Sequence, residues 1–396
     1  MMIPPFSIAR LPRIIFGAGS LAQVPDLLAA YGRRVLLVTG ARSFVASSHW
    51  ESLRKQLETR NVAWVHFRVE GEPSPQLVDD AVRELKDAGI ESVAGIGGGS
   101  VLDAAKAIAG LLRVGNSVMD YLEGVGPELP YQGPALPYIA VPTTAGTGSE
   151  ATKNAVLSVR GKNGFKKSFR HELLVPQYAV VDPDLLATCP RELIAANGMD
   201  ALTQLLESYV STKTNPFTDA LATSGLAAVR DGLFAWYENS DQAAQGRAAM
   251  AYAALLSGIA LAQTGLGAVH GLAAPLGAFF PIPHGVACGA TVAAATAANI
   301  AALRERDPEN TALQKYAHLG ALLSGQDEVR GSTAADTLIR LLEDWTGRLR
   351  LPTLGHYGIT ETDLDSIVAH SRSSSMKTNP VVLTDDELRA ILRRCL

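Results

Sequence analysis

Short apolar runs alternate with amphipathic stretches through the first half of the chain. Val35-Leu36-Leu37-Val38-Thr39, Ala63-Trp64-Val65-His66-Phe67, Ser92-Val93-Ala94-Gly95-Ile96 and Tyr138-Ile139-Ala140-Val141 each read as a strand. Between the second and third, Leu77, Val78, Ala81, Val82 and Leu85 recur on one helical face and predict a helix over 76–85. Strand–helix alternation at this spacing predicts parallel βαβ units with helices on both faces of a sheet. After about Pro190 the pattern changes. Long Ala- and Leu-rich stretches follow, read as helices from Arg191 onward and broken by turns at Thr214-Asn215-Pro216, Asn239-Ser240-Asp241 and Asp307-Pro308. The expected organisation is an α/β domain over residues 1–185 and an all-α domain over 186–396, with no internal repeat.

Composition narrows the function classes. The chain has 396 residues, 47% hydrophobic and 19% charged, enough to fill a large core and too apolar for a disordered chain. A formal charge of −4 leaves no basic excess for a phosphate backbone, so no nucleic-acid partner is expected. Cys189, Cys288 and Cys395 lie far apart with no CxxC pair, which suits a reducing cytoplasm. The amino end carries no basic segment followed by an apolar run, so no signal peptide is expected. Ala248 to Leu303 contains no Asp, Glu, Lys or Arg. That run contains Gln263, Thr264, His270 and His284, is broken by Pro275, Pro281 and Pro283, and is built mostly of small side chains. It therefore predicts a buried helical core that shelters two histidines, with no membrane span.

Three constellations could carry chemistry. In Gly95-Ile96-Gly97-Gly98-Gly99-Ser100-Val101-Leu102-Asp103, an apolar strand runs through glycines into a helix. It reads either as a phosphate cradle at a helix start or as a tight turn with Ser100 as N-cap. Thr143-Thr144-Ala145-Gly146-Thr147-Gly148-Ser149-Glu150 follows another strand with four hydroxyls, either a ligand loop or a polar turn. Both loops fall at carboxyl ends of strands, where open α/β sheets bind ligands, and together they favour a nucleotide. In the helical half, Asp200 and Gln204 share a helix face, and His270 and His284 sit in the charge-free run. Asp and His at a dry site suit a divalent transition metal, against the alternative of satisfied core histidines.

With these motifs in order, the sequence resembles the iron-containing (group III) alcohol dehydrogenases. Ile15-Phe16-Gly17-Ala18-Gly19, Glu72-Pro73-Ser74-Pro75, the Gly97–Asp103 and Thr143–Glu150 loops, Asp182-Pro183, and His270 through Gly285 carry the resemblance. It implies a Rossmann-like domain and a helical domain in the dehydroquinate-synthase-like architecture, with a divalent metal, Fe2+ or Zn2+, in the cleft. It also implies NAD(P)H, Lewis-acid catalysis and hydride transfer between nicotinamide and an alcohol or carbonyl. Asp200, His270 and His284 take the ligand positions, with Gln204 where the family carries another histidine. Ala274 stands where a further histidine is usual, so the alcohol proton must leave by water or a ribose hydroxyl. The resemblance assigns coenzyme contacts to Gly97, Gly98, Gly99, Ser100, Asp103, Thr143, Thr144, Thr147, Ser149, Asn154 and Lys166 or its neighbour Lys167. Gly40-Ala41-Arg42-Ser43 replaces an acidic residue typical of NAD-preferring members, and a guanidinium with a hydroxyl there favours the 2′-phosphate of NADP(H).

The implied substrates are small alcohols, aldehydes or keto acids, with Phe279 and Phe280 lining the substrate site, and the implied assembly is a homodimer. Two other readings share the fold: a keto-acid reductase of the maleylacetate type with little metal dependence, and a nucleotide-binding protein without catalytic metal. Dehydroquinate-synthase-like cyclases need cationic side chains that the charge-free run lacks.

Overall fold

The computed structural model describes residues 5–161, 163–326 and 331–396; the first four residues, read above for a leader, lie outside them. Among the described residues eight strands form: β1 (Arg13–Phe16), β2 (Arg34–Gly40), β3 (Ala63–Val69), β4 (Ser92–Gly97), β5 (Tyr138–Pro142), β6 (Asn154–Val159), β7 (Phe165–Arg170) and β8 (Tyr178–Val181). Before them in the helical tally come α1 (Val24–Ala29), α2 (Ser48–Thr59), α3 (Pro75–Leu85) and α4 (Gly99–Leu111). The helical half contributes α5 (Arg191–Val210), α6 (Pro216–Tyr237), α7 (Ala243–Thr264), α8 (Ala268–Phe279), α9 (His284–Arg306), α10 (Thr311–Ser324), α11 (Gly331–Arg348), α12 (Leu364–His370) and α13 (Asp385–Arg394).

The chain forms two compact units. One comprises Ala9–Val159 with Lys166–Cys189; the other comprises, among the described residues, those of Pro190–Leu396 and Arg160–Phe165 with residues 5–8. The turn between β6 and β7 thus groups with the helices, a discontinuity that reading along the chain does not reveal.

In the first unit, six strands pair in the order β1-β8-β5-β4-β2-β3, every pairing parallel. Central β2 and β4 are buried nearly end to end because helices cover both faces, which is why their sequences read as unbroken apolar runs. Edge strand β3 is mostly half-buried. The order reverses between β2 and β4. Chain travel goes outward from β2 to β3, then back to β4 and on to β5, so the crevice at the carboxyl ends of β2 and β4 is the topological switch point. Gly40, Gly97 and Pro142 end the three strands nearest it.

Below that edge, a buried lysine ties α4 to the loop after β5. Lys106 Nζ donates to the Ser149 carbonyl at 2.8 Å, Ser149 Oγ at 3.0 Å, Thr152 Oγ1 at 3.1 Å and the Asn154 carbonyl at 2.6 Å. Its countercharges are Asp103, at 3.8 Å, and the buried Glu150. Burial lowers the Lys106 ammonium to about 8 against their pull, and raises the Glu150 carboxyl to about 7. A four-bonded buried cation tolerates no simple loss.

In the second unit, α5 is buried over most of its length and packs on α6, α7 and α9. The turn at Thr214-Asn215-Pro216 is the start of α6: Asn215 Oδ1 accepts the N–H groups of Phe217 and Thr218, both at 3.1 Å, and Pro216 occupies the first helical position. α7 and α8 are bent by 102° across the break at Gly265-Leu266-Gly267. α9 is the one described helix long and apolar enough by itself to cross a membrane, and most of it is buried among the others. It is a core helix of the unit, as the interrupted composition of the charge-free run predicts.

Replacing Lys106 by Met removes the charge and all four bonds while keeping the volume. The expected loss is about 3–5 kcal/mol in the sheet unit, because Asp103 and Glu150 remain buried without their partner. Urea unfolding of Lys106→Met checks it, and an unchanged midpoint would refute the strut.

Candidate active site

The helical unit gathers the first group of candidate residues. Asp200 lies on α5, His270 at the third position of α8 and His284 at the first position of α9. His270 Nε2 is 3.3 Å from Asp200 Oδ1, and His284 Nε2 is 3.8 Å from the same oxygen. Cys288, one helical turn after His284, completes the cluster, with Sγ 3.6 Å from His270 Nε2 and 3.8 Å from His284 Nε2. One donor atom from each of these four residues lies within 4.8 Å of every other. Asp200, His270 and Cys288 are buried, and His284 is partly exposed, so the cluster opens on the His284 side.

Close helix packing brings these residues together. A Cβ on Gly285 would sit 2.3 Å from the Ala196 carbonyl oxygen, so the first turn of α9 approaches α5 at a distance that only glycine permits. His284 and Cys288, at i and i+4, then face Asp200 from one side of α9.

A buried carboxylate orients His270. Glu207 Oε2 lies 2.6 Å from His270 Nδ1, and Glu207 Oε1 accepts the Val269 N–H at 2.7 Å. With its Nδ1 proton committed to Glu207, His270 presents Nε2 to the cluster, the arrangement by which metal-binding imidazoles are fixed in tautomer and direction. Asn379 anchors the same turn: its Oδ1 accepts the Ala268 N–H at 3.0 Å and an Asn299 amide N–H at 3.1 Å.

The electrostatics match a cation site. Burial opposes ionisation of Asp200, yet the imidazoles of His284 and His270, with a hydrogen bond from Gln204, hold its carboxyl down at about 2. Burial also works against charge on His270, and Cys288, Asp200 and Glu207 around it nonetheless raise its pKa well above the ordinary imidazole value. Two imidazole nitrogens, a carboxylate oxygen and a sulfur in one buried pocket fit a divalent transition metal.

Gln204 lies beside the cluster. Its Oε1 is 3.1 Å from the Ser257 hydroxyl, which also donates to the Ala254 carbonyl, and its side chain hydrogen-bonds Asp200. Ala274, one turn after His270, is partly exposed and carries no titratable group. Phe279 packs edge-on against His370, ring centroids 5.1 Å apart.

In the sheet unit the second group lies along the carboxyl edge. Gly98 is the N-cap of α4 and offers no side-chain cap, while Val101 and Leu102 bond its carbonyl, so the N–H groups of Gly99 and Ser100 are the ones placed for an anion; Ser100 lies inside the helix and is not the N-cap. Thr143 N–H bonds the Gly97 carbonyl at 2.9 Å, joining the two loops. Gly98 faces Thr144, and a Cβ on Gly99 would meet Thr147 at 2.7 Å, so these loops pack backbone against hydroxyls. A Cβ on Gly40 would meet Val101 on α4 at 3.7 Å, and Arg42 and Ser43 are exposed just beyond the end of β2.

Other candidates are turned to internal work. Ser149 Oγ donates to Asp103 at 2.5 Å, Asn154 gives its carbonyl to Lys106, and Lys166 is 3.0 Å from Glu72 in a mostly buried ion pair. Lys167 lies against Gly124.

The comparisons with known proteins agree with this architecture. Residues 12–183 match the profile "Iron-containing alcohol dehydrogenase", and residues 194–396 match "Fe-containing alcohol dehydrogenase family, C-terminal". The chain belongs to the iron-containing alcohol dehydrogenase family. Alcohol dehydrogenase 4 of Schizosaccharomyces pombe is 33% identical to this dehydrogenase over 99% of the chain and 90% of the relative. The NADPH-dependent butanol dehydrogenase of Clostridium saccharobutylicum is 30% identical, covering 96% of each. A solved 1,3-propanediol oxidoreductase superposes with a TM-score of 0.89 at 27% identity, covering 99% of this chain and all of that one. The protein is therefore an NAD(P)-linked oxidoreductase acting on CH–OH groups, with a cluster in its helical unit that could hold a metal ion.

Sequence reading missed Glu207 and Cys288. Both had a signal in spacing: Asp200, Gln204 and Glu207 form a polar stripe at i, i+4, i+7 on an otherwise apolar helix, and Cys288 follows His284 by one turn.

Glu207→Gln keeps the shape but exchanges a carboxylate acceptor for an amide. Metal affinity is expected to fall roughly 10–100-fold, the usual effect of an altered outer hydrogen-bond partner, with the fold intact. Titration against a competing chelator measures it; wild-type affinity would remove Glu207 from the site.

Proposed function

We propose that this dehydrogenase reduces small aldehydes to alcohols, and runs the reverse reaction, with NADP(H) and with a divalent cation held by Asp200, His270 and His284. The observation that carries the reading is the buried donor cluster with His270 oriented by Glu207. It favours a metal-dependent alcohol and aldehyde chemistry over a metal-independent keto-acid reductase or a nucleotide-binding protein without metal.

Lewis-acid polarisation of the carbonyl is what a bound divalent cation would supply. The chain's own residues do the rest. Asp200 keeps its carboxylate ionised at any working pH, since its pKa lies near 2. Glu207 retains the Nδ1 proton of His270 and so keeps Nε2 directed to the cluster. The open N–H groups at the start of α4 and the hydroxyls of Thr143, Thr144 and Thr147 supply donors for the coenzyme's phosphates and amide. Because Ala274 cannot carry a proton, the alcohol proton exchanges through water or a coenzyme ribose hydroxyl.

Coenzyme preference rests on Arg42. It is exposed beside Ser43 at the end of β2, with no carboxylate in Gly40-Ala41-Arg42-Ser43 to repel a 2′-phosphate. The three cysteines are unpaired, which supports a reducing cytoplasmic setting, and a homodimer is the assembly the family resemblance implies.

Asp200→Ala is expected to lose stoichiometric metal and at least about 10³-fold in kcat/KM for aldehyde reduction, the several kcal/mol a Lewis acid supplies. Metal analysis alongside NADPH oxidation over an aldehyde panel tests it; full activity without metal would overturn the reading. For the coenzyme, Arg42→Ala is expected to raise KM for NADPH roughly 10–100-fold, the worth of one or two charge-assisted hydrogen bonds, with little change for NADH. A wild-type preference for NADH would defeat the assignment.

A further inference from the structure

We infer that Cys288 is the fourth protein ligand of the metal centre, that Gln204 is not one, and that the site is thereby built for a borderline-soft cation such as Zn2+. This rests on the metal-dependent reading above and deepens it.

Distances carry the argument. Tetrahedral zinc with bonds of about 2.05 Å to nitrogen and about 2.3 Å to sulfur separates the two donors by about 3.6 Å; nitrogen and oxygen come about 3.4 Å apart. The observed Cys288 Sγ separations are 3.6 Å to His270 Nε2 and 3.8 Å to His284 Nε2. Asp200 Oδ1 lies 3.3 Å and 3.8 Å from the same two nitrogens. Four of the six donor–donor separations thus lie within about 0.4 Å of tetrahedral values, and the other two are no longer than 4.8 Å.

The competing donor is engaged elsewhere. Gln204 hydrogen-bonds Asp200, which orients the carboxylate, and its amide oxygen faces the Ser257 hydroxyl at 3.1 Å, whose one proton is shared with the Ala254 carbonyl at 2.8 Å. A buried cysteine is ordinarily a small apolar filler. Here the sulfur faces two imidazole nitrogens, and its helix is held against α5 by the Gly285 approach to Ala196. One helical turn therefore delivers an imidazole and a thiol to a single point.

The chemical consequence follows from the donor set. On binding, the thiol proton passes to solvent and sulfur bonds to the cation, so Asp200 and Cys288 together balance its two charges, and a carbonyl would join as a fifth donor from the partly exposed His284 side. Soft sulfur selects for zinc, or for cobalt as its spectroscopic stand-in, over harder oxygen-seeking cations.

Cobalt titration of the full-length apoprotein tests this apart from activity. Wild type is expected to take up one Co2+ per chain and to develop the near-ultraviolet absorption of sulfur-to-cobalt charge transfer. Gln204→Leu is expected to keep that band. Cys288→Ala should lack it, with Zn2+ affinity reduced by more than the roughly 10–100-fold assigned to an outer hydrogen-bond partner. Cys288→Ser, nearly isosteric, should also lack the band, and circular dichroism matching wild type shows that folding is not the cause. One Co2+ per chain without the charge-transfer band would overturn the thiolate ligand and leave the metal centre standing. No stoichiometric Co2+ or Zn2+, or equal binding by Asp200→Ala, would overturn the metal reading itself.

Discussion

An imidazole can give one nitrogen to a cation only if its other nitrogen has a settled use for its proton, and in this protein Glu207 supplies that use for His270. The carboxylate sits a full two turns from Asp200 on the same helix, so one buried stripe furnishes both a donor to the cluster and the group that aims another donor at it. Glu207 also takes the Val269 N–H, so the start of α8 is fixed by the same two oxygens. Orientation of the ring and position of the helix are one constraint. Without it the remaining donors would still lie near one another, but nothing would hold a lone pair toward their centre.

The sheet unit solves a related difficulty with opposite means. Its ligand edge needs open N–H groups and close backbone approach, which strip side chains from Gly98 and Gly99 and leave the loops little to pack with. Rigidity comes from beneath, where Lys106 knits α4 to the 149–154 segment through hydroxyls and carbonyls. Asp103 and Ser149, which the motif suggests as coenzyme contacts, bond each other in this lattice.

Much of the fold was legible because its determinants are local. The four apolar runs became β2, β3, β4 and β5, and the amphipathic stretch at 76–85 became α3, since covered strands and one-faced helices leave a periodic trace. Short strands β1 and β8, at and beside the sheet edge, left too few residues to register, and the β6–β7 pair is half-exposed without clean alternation. Asp200, His270 and His284 could be singled out because polar groups in an apolar run are conspicuous. Cys288 was not, because a cysteine among alanines reads as filler; only the direction of its sulfur separates a ligand from core. Gln204 is hard to read for the converse reason: its type permits coordination, while its neighbour Ser257 is invisible until α7 is laid beside α5.

The contact between Gly285 and the Ala196 carbonyl has a bearing on how such a centre can change over time. Two donors ride on a turn already at contact with its neighbour, so the helix cannot be drawn nearer to suit a smaller ion, and any larger side chain at 285 would lever both donors away together. Adaptation to a different metal must therefore proceed by exchanging side chains at fixed backbone positions, such as 204 and 288, rather than by adjusting the scaffold that presents them.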